Sequence, residues 1–314
     1  MICPKCAFEQ PPGAECVRCG IVFEKWDDLQ AFPRTVTPPR WKLRGAAREI
    51  REDSVSDGRI GRGEWTILGS GLGAAALIYA VPLTRFIFSA MVTLFHEFGH
   101  AVVGWTLGYP SLPAFDFVYG GGFTHRGTFH PSIAVAIAAG FAYLAWLFRR
   151  NGRTLTLIGA IFLIWLLAVS AEWRREILIA GAGHAFEFIL AGIFFYQALS
   201  GSGLRSRDFE RPLAAFAAFF VQIHSMLFAL KLQRDPAFLA WYREGKGGAL
   251  MNDLEEVALD LQIHLGIQPG ITGVAKMLFL FSFVPITAAL IWYFFRSRWH
   301  SALEPLIEES GSIS

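Results

Sequence analysis

The string His96-Glu97-Phe98-Gly99-His100 sets two imidazoles four positions apart with a carboxylate beside the first. On a helix, positions i and i+4 share a face, so both rings can reach one metal ion. Glu97 lies one step round, where it can take a proton from metal-activated water. The string sits in an apolar run from Ser89 to Trp105. Burying a carboxylate there without a function is costly. The other reading is a pair of packed, hydrogen-bonded histidines in a helix bundle.

A zinc hydrolase needs three protein ligands and an open position for water. The chain has eight histidines, and besides the HExxH pair only His184 and His224 lie within an apolar stretch. His184 follows Gly181 and Gly183, which permit close helix approach. Glu187, at i+3, shares its face. The expected third ligand is therefore His184, with Glu187 orienting it or ligating in its place. The alternative is a His–Glu pair that joins two helices. His224 stands alone and reads as a packed polar residue. Asp253 is a lower-ranked candidate. It follows the pair Gly247-Gly248, but its neighbourhood reads as an amphipathic helix with Asn252 or Asp253 near the cap. His125 and His130 fall in a loop and read as solvated.

All four cysteines lie in the first 19 residues, as Cys3-x-x-Cys6 and Cys16-x-x-Cys19 separated by nine residues. Paired CxxC knuckles offer four thiolates with tetrahedral reach, so a structural zinc is expected beside the catalytic one. Two disulfides are the alternative. Reduced thiolates imply the cytoplasmic side. Such a ribbon suits a structural module or one that recruits a cytoplasmic protein partner.

The elements that must position these groups follow from hydropathy. The chain has 314 residues, 54% hydrophobic and 17% charged, against about 25% charged for a soluble domain. The composition is that of an integral membrane protein, and the net charge of +2 is too small to argue for nucleic acid. No basic segment leading into an apolar core opens the chain, so no cleaved signal peptide is expected. Residues 1–25 read as the ribbon, 26–63 as a charged linker, 64–300 as the transmembrane domain and 301–314 as a tail. Seven apolar stretches are candidate spans: 67–86, 89–107, 133–148, 155–170, 177–199, 214–232 and 270–295. Glu172–Glu176 reads as the charged turn of a helical hairpin. The stretch Phe115 to Thr124 alternates, with Gly120–Gly122 as its turn, and reads as a β-hairpin. The expected fold is an all-α polytopic membrane protein of six to seven spans, with room for a re-entrant β-hairpin and a small N-terminal zinc ribbon.

Three positive loops, at Arg149–Arg153, Arg205–Arg211 and Arg296–Arg298, belong inside with the ribbon. Two full crossings before residue 108 break that parity. Either the HExxH segment does not fully cross, or residues 108–132 dip into the bilayer, or one positive loop faces out.

The helix Leu94-Phe-His-Glu-Phe-Gly-His-Ala, followed by a glycine-rich loop between apolar spans, resembles the site-2 protease family of intramembrane zinc metallopeptidases. The resemblance covers that helix and, loosely, the hairpin behind it. It implies zinc on His96 and His100, Glu97 as general base, and cleavage of membrane-protein substrates in or near their spans. A bacterial inner membrane with the N-terminus cytoplasmic is the expected location. The family's third ligand is an aspartate in a Leu-Asp-Gly context, and no such string occurs here. Two further readings are a non-proteolytic scaffold or metal-handling protein, and an ion path through His184 and Glu187.

Overall fold

The computed structural model describes residues 1–3, 8–23, 59–116, 121–244 and 251–296. The expectations for Cys6, linker residues 26–58, hairpin residues 117–120, Gly247, Gly248, Arg298 and the tail at 301–314 lie outside these residues. The chain divides into two units, Met1–Asp57 and Gly58–Ser314.

In the first unit one motif appears twice. The bridge Ile2↔Glu9 encloses Cys3, and the bridge Glu15↔Val22 encloses Cys16. The Cys3 amide donates to the Phe8 carbonyl at 2.9 Å, and the Cys16 amide to the Ile21 carbonyl at 2.8 Å. Gly20, at φ 67°, supplies the left-handed turn of the second copy. Gln10 joins the copies: its Nε2 donates to the Glu15 carbonyl at 2.9 Å, and its Oε1 accepts from the Val17 amide at 3.0 Å. Cys3 and Cys16 are buried, and Cys3 Sγ lies 3.7 Å from Cys19 Sγ.

The described residues of the second unit are helical apart from one hairpin and the connections. In chain order it comprises α1 (Arg62–Ala80), α2 (Pro82–Thr106), β1 (Ser111–Asp116), β2 (Gly121–Arg126), α3 (Pro131–Leu147), α4 (Gly152–Val169), α5 (Glu172–Ser200), α6 (Arg207–Arg234), α7 (Pro236–Glu244), α8 (Asp253–Leu265) and α9 (Gly270–Phe281). After a break at Ser282, helix resumes through residues 283–296. Among the described residues, five helical segments are long and apolar enough to cross a membrane: α2, α4, α5, α6 and Gly270–Arg296. The stretch 67–86, expected as one span, is two helices. Val81 is extended and Pro82 opens α2, where a missing N–H costs nothing. The 172–176 segment, expected as a turn, is the start of α5. Its φ/ψ change falls at Ala171, just before it.

Helix α5 is the hub, packing against α2, α6 and α8. Small residues set the approach distances. A Cβ at Gly71 of α1 would stand 2.5 Å from Ala215 Cβ and 2.8 Å from the Phe216 amide of α6. A Cβ at Gly99 of α2 would stand 2.6 Å from the Ala182 carbonyl of α5. Contact of that kind is how helices associate where lipid removes the hydrophobic drive. The carbonyl of Ser282, at the break after α9, accepts from Gln222 Nε2 at 3.0 Å. Helices α3 and α4 bury no residue inside the protein and expose Val135, Leu163, Ile164 and Leu167. These are the surfaces a bilayer would cover.

The hairpin is antiparallel, in register from Ser111↔Arg126 to Asp116↔Gly121. Gly121 and Gly122, expected in its turn, lie within β2. It is tied to the end of α2, where Trp105 Nε1 donates to the Ser111 carbonyl at 2.8 Å. A Cβ at Gly104 would overlap Ser111 Oγ, so glycine there lets the strand lie close to the end of α2.

Candidate metal centre

The HExxH residues occupy the middle of α2, with Glu97 and His100 buried. The helical repeat brings the rings together: His96 Nε2 and His100 Nε2 lie 2.9 Å apart. Between them stands a carboxylate. Asp253 Oδ2 is 2.8 Å from His96 Nε2 and 3.1 Å from His100 Nε2. Ligand atoms at about 2.0–2.1 Å around a tetrahedral zinc stand about 3.3 Å apart. The triangle is therefore near the size of a zinc face.

Two features set the surroundings of this triangle. A Cβ at Gly183 of α5 would meet His96 Nε2 at 2.5 Å and His100 Nε2 at 2.6 Å, so the helix backbone lies against the ring nitrogens. Each ring also has an acceptor on its far nitrogen. His100 Nδ1 donates to the Ile179 carbonyl at 2.6 Å, and His96 Nδ1 to Glu187 Oε1 at 2.6 Å. Imidazoles held this way present Nε2 lone pairs to an ion.

Asp253 reaches this point because Asn252 caps α8. Asn252 and Glu255 form a capping box that fixes the first turn and leaves Asp253 as its first residue. Tyr242 of α7 anchors that turn: its carbonyl accepts from Asn252 Nδ2, and its hydroxyl accepts from the Leu254 amide at 3.4 Å. Burial alone would raise the Asp253 carboxyl. The His100 and His96 rings beside it outweigh burial and hold the group well below the usual carboxylate range. Burial, with Asp253 beside it, pushes the Tyr242 phenol up, so its hydroxyl stays neutral.

The expected site residues thus separate into two groups. His96, His100 and Asp253 converge on one point, while His184 and Glu187 meet His96 from its Nδ1 side. The His184 ring centroid is 4.5 Å from that of His96, and the ring stacks on Phe228. His184 Nδ1 lies 3.2 Å from Glu187 Oε1. Asp253, ranked below His184 and Glu187 in the sequence because it starts an amphipathic helix, is the carboxylate brought to both ring nitrogens. His224 lines the same cavity as His96, Glu97 and Asp253 and packs against Tyr79 and Phe220. His125 and His130 are exposed.

Glu97 faces β2. Thr124 Oγ1 lies 2.7 Å from Glu97 Oε2 and 3.0 Å from its carbonyl oxygen. A Cβ at Gly122 would stand 2.5 Å from Glu97 Cγ, so glycine lets the strand lie on the carboxylate. Two openings meet here. One, of about 260 Å³, is lined by His96, Glu97, Gly122, His184 and Asp253. The other, of about 420 Å³, is lined by Glu97, His100, Thr124, Arg126 and Asp253. Strand β2 borders both, and Glu97 and Asp253 stand where they adjoin. Thr124, Gly122 and Tyr242 carry no sequence signal of their own, because each meets the site through a contact made in the fold.

No family model, no curated protein and no solved structure matches this chain.

Proposed function

We propose that the chain is an integral-membrane zinc metallopeptidase of the site-2 protease type, cutting peptide bonds in or near the spans of other membrane proteins. The observation that carries this reading is the convergence of Asp253 on the two HExxH imidazoles, beside Glu97 and a strand edge. The donor set of two histidines and a carboxylate suits a catalytic zinc. Zinc in such a site acts as a Lewis acid that brings the acidity of water toward neutrality and polarises a carbonyl.

His96, His100 and Asp253 hold the ion. Glu97 takes the proton from the attacking water and returns it to the departing amine. Thr124 fixes Glu97 Oε2 and leaves Oε1 for proton transfer. A helical substrate must unwind before its peptide bond is reachable, and β2 offers an edge on which an extended segment can pair. The two openings on either side of Glu97 would take the segment before and after the scissile bond. Seven helical segments, α1 and α3 included, cross or enter the bilayer. Cys3, Cys6, Cys16 and Cys19 hold a second, structural zinc. Those thiolates put the N-terminus in the cytoplasm of a bacterial cell, where the ribbon can recruit a partner.

The test is Glu97→Gln, which keeps shape and ligands and removes the base. Membrane proteomes of cells producing the wild type should show new cleavage ends that fall by at least about 100-fold in the variant, the usual contribution of a positioned base. Cleavage that continues unchanged in the variant overturns the protease reading.

A further inference from the structure

Glu187 lies in the middle of α5, a membrane-spanning helix, and is 3% exposed. A carboxylate at such a position faces a partner that uses it. Its two oxygens are divided between two elements. Oε1 accepts from His96 Nδ1 at 2.6 Å, and Oε2 accepts from Ser225 Oγ of α6. Ser225 is 1% exposed, and its Oγ also lies 3.0 Å from the Val221 carbonyl.

Counting protons fixes what this can do. A neutral imidazole has one N–H. The Nε2 of His96 faces His100 and Asp253, so ligation through it requires the proton on Nδ1. Glu187 is the acceptor at that nitrogen. For His100 the same task falls to the Ile179 carbonyl. Both acceptors come from α5, and Gly183, the backbone cradle of the centre, lies midway between them in sequence. Ile179, Gly183 and Glu187 recur every four residues, so one stripe of α5 supports both histidines of α2.

We infer that Glu187 is the positioning residue of the metal centre rather than one of its ligands. It fixes His96 in the Nδ1–H tautomer and raises the basicity of Nε2, while Ser225 fixes Glu187. This inference rests on the metal centre proposed above. The geometry favours it over direct ligation, because an ion on the Nδ1 side of His96 would have to replace a short hydrogen bond. It also gives the buried Ser225 hydroxyl a task.

The test uses the full-length protein in detergent micelles, with zinc affinity measured by chelator competition. Ribbon zinc is counted separately after release by a thiol-specific mercurial. Thermal unfolding confirms that each variant is folded. Glu187→Ala should weaken membrane-site zinc binding by about 10–100-fold, the usual cost of losing such a partner. Glu187→Gln, whose amide oxygen can still accept from Nδ1–H, should fall between that variant and the wild type. Ser225→Ala should show a smaller loss in the same direction. Nitrogen-15 spectra of labelled histidine should show the zinc-bound His96 protonated on Nδ1 in the wild type and a perturbed Nδ1 signal in Glu187→Ala.

Unchanged affinity and an unchanged His96 signal in Glu187→Ala overturn the inference. So does complete loss of membrane-site zinc in Glu187→Gln, which would make the residue a ligand. A wild-type chain that holds zinc in the ribbon alone overturns this inference and the proposed function together. Retention of wild-type affinity in Asp253→Asn overturns the ligand set of the proposed function and leaves the Glu187 result standing.

Discussion

Asp253 shows how far a single side chain's role depends on distant structure. It lies 157 residues from His96 in sequence and 2.8 Å from it in space. Its local pattern, a capping asparagine followed by acidic residues, is that of any helix start. The same cap fixes the direction of the carboxylate, so the ordinary reading of the helix is correct and incomplete. His96, Glu97 and His100 were legible because their spacing is set by one helix turn. The place of Asp253 beside them was not, because nothing local to residues 251–265 refers to α2. His184 had the stronger sequence signal, an ionisable group in an apolar stretch, yet it packs behind His96. The two assignments separate experimentally. Asp253→Ala should lose membrane-site zinc by at least about 100-fold, since one of three ligands is gone. His184→Ala should retain that zinc to within about tenfold, because it removes a ring contact and no ligand. Chelator competition on the two purified variants measures both, and the reverse order would restore His184 as the ligand.

Helices α2 and α5 meet through glycines, and this close approach brings α5 against the His96 and His100 rings. Gly99 admits the Ala182 carbonyl, and Gly183 admits the two ring nitrogens. In Gly183→Ala the added methyl would start 2.5 Å from His96 Nε2, so the rings or the helix must shift. The expected result is a folded protein whose membrane-site zinc is largely lost, with a stability cost of about 1–3 kcal/mol for overpacking. Zinc analysis with thermal unfolding in micelles checks it, and a variant with full zinc and an unchanged midpoint would show that the cradle is loose. Gly71→Val is the contrasting case. It presses on the backbone of α6 at Ala215 and Phe216, remote from the ion. It should cost a similar stability by weakening the α1–α6 crossing, while chelator competition finds zinc affinity unchanged in the folded fraction. Apolar runs made most of these helices readable in advance, since length and hydropathy are local properties. The break at Val81 was not read, because Ile67 to Leu83 carries no charged residue and Pro82 marks a start as readily as a kink. The hairpin was legible from its alternation, but not the strand residues at Gly121 and Gly122, whose composition is that of a turn.

The chain divides into a small unit, Met1–Asp57, and a larger one, Gly58–Ser314, whose described core is helix-on-helix packing. Their sources of stability should therefore be independent. The described part of the first unit holds together through paired backbone bonds around Cys3 and Cys16 and through Gln10. A segment of this size usually needs a metal or a disulfide to fold. The second unit draws its stability from the packing of α1, α2, α5 and α6, where no cysteine occurs. The purified wild type should thus carry two zinc per chain. Cys16→Ser should carry about one, because a ribbon zinc needs all of its thiolates for a closed tetrahedral site. In that variant residues 1–23 should become sensitive to protease, since folding energy and metal binding are one quantity in such modules. The unfolding midpoint of the membrane unit should stay at the wild-type value. Its remaining zinc should still be lost on Asp253→Ala, which assigns that ion to the membrane centre. A Cys16→Ser variant that keeps both zinc ions would remove the ribbon as a metal site. One that loses both would show that the two units share a single folding transition.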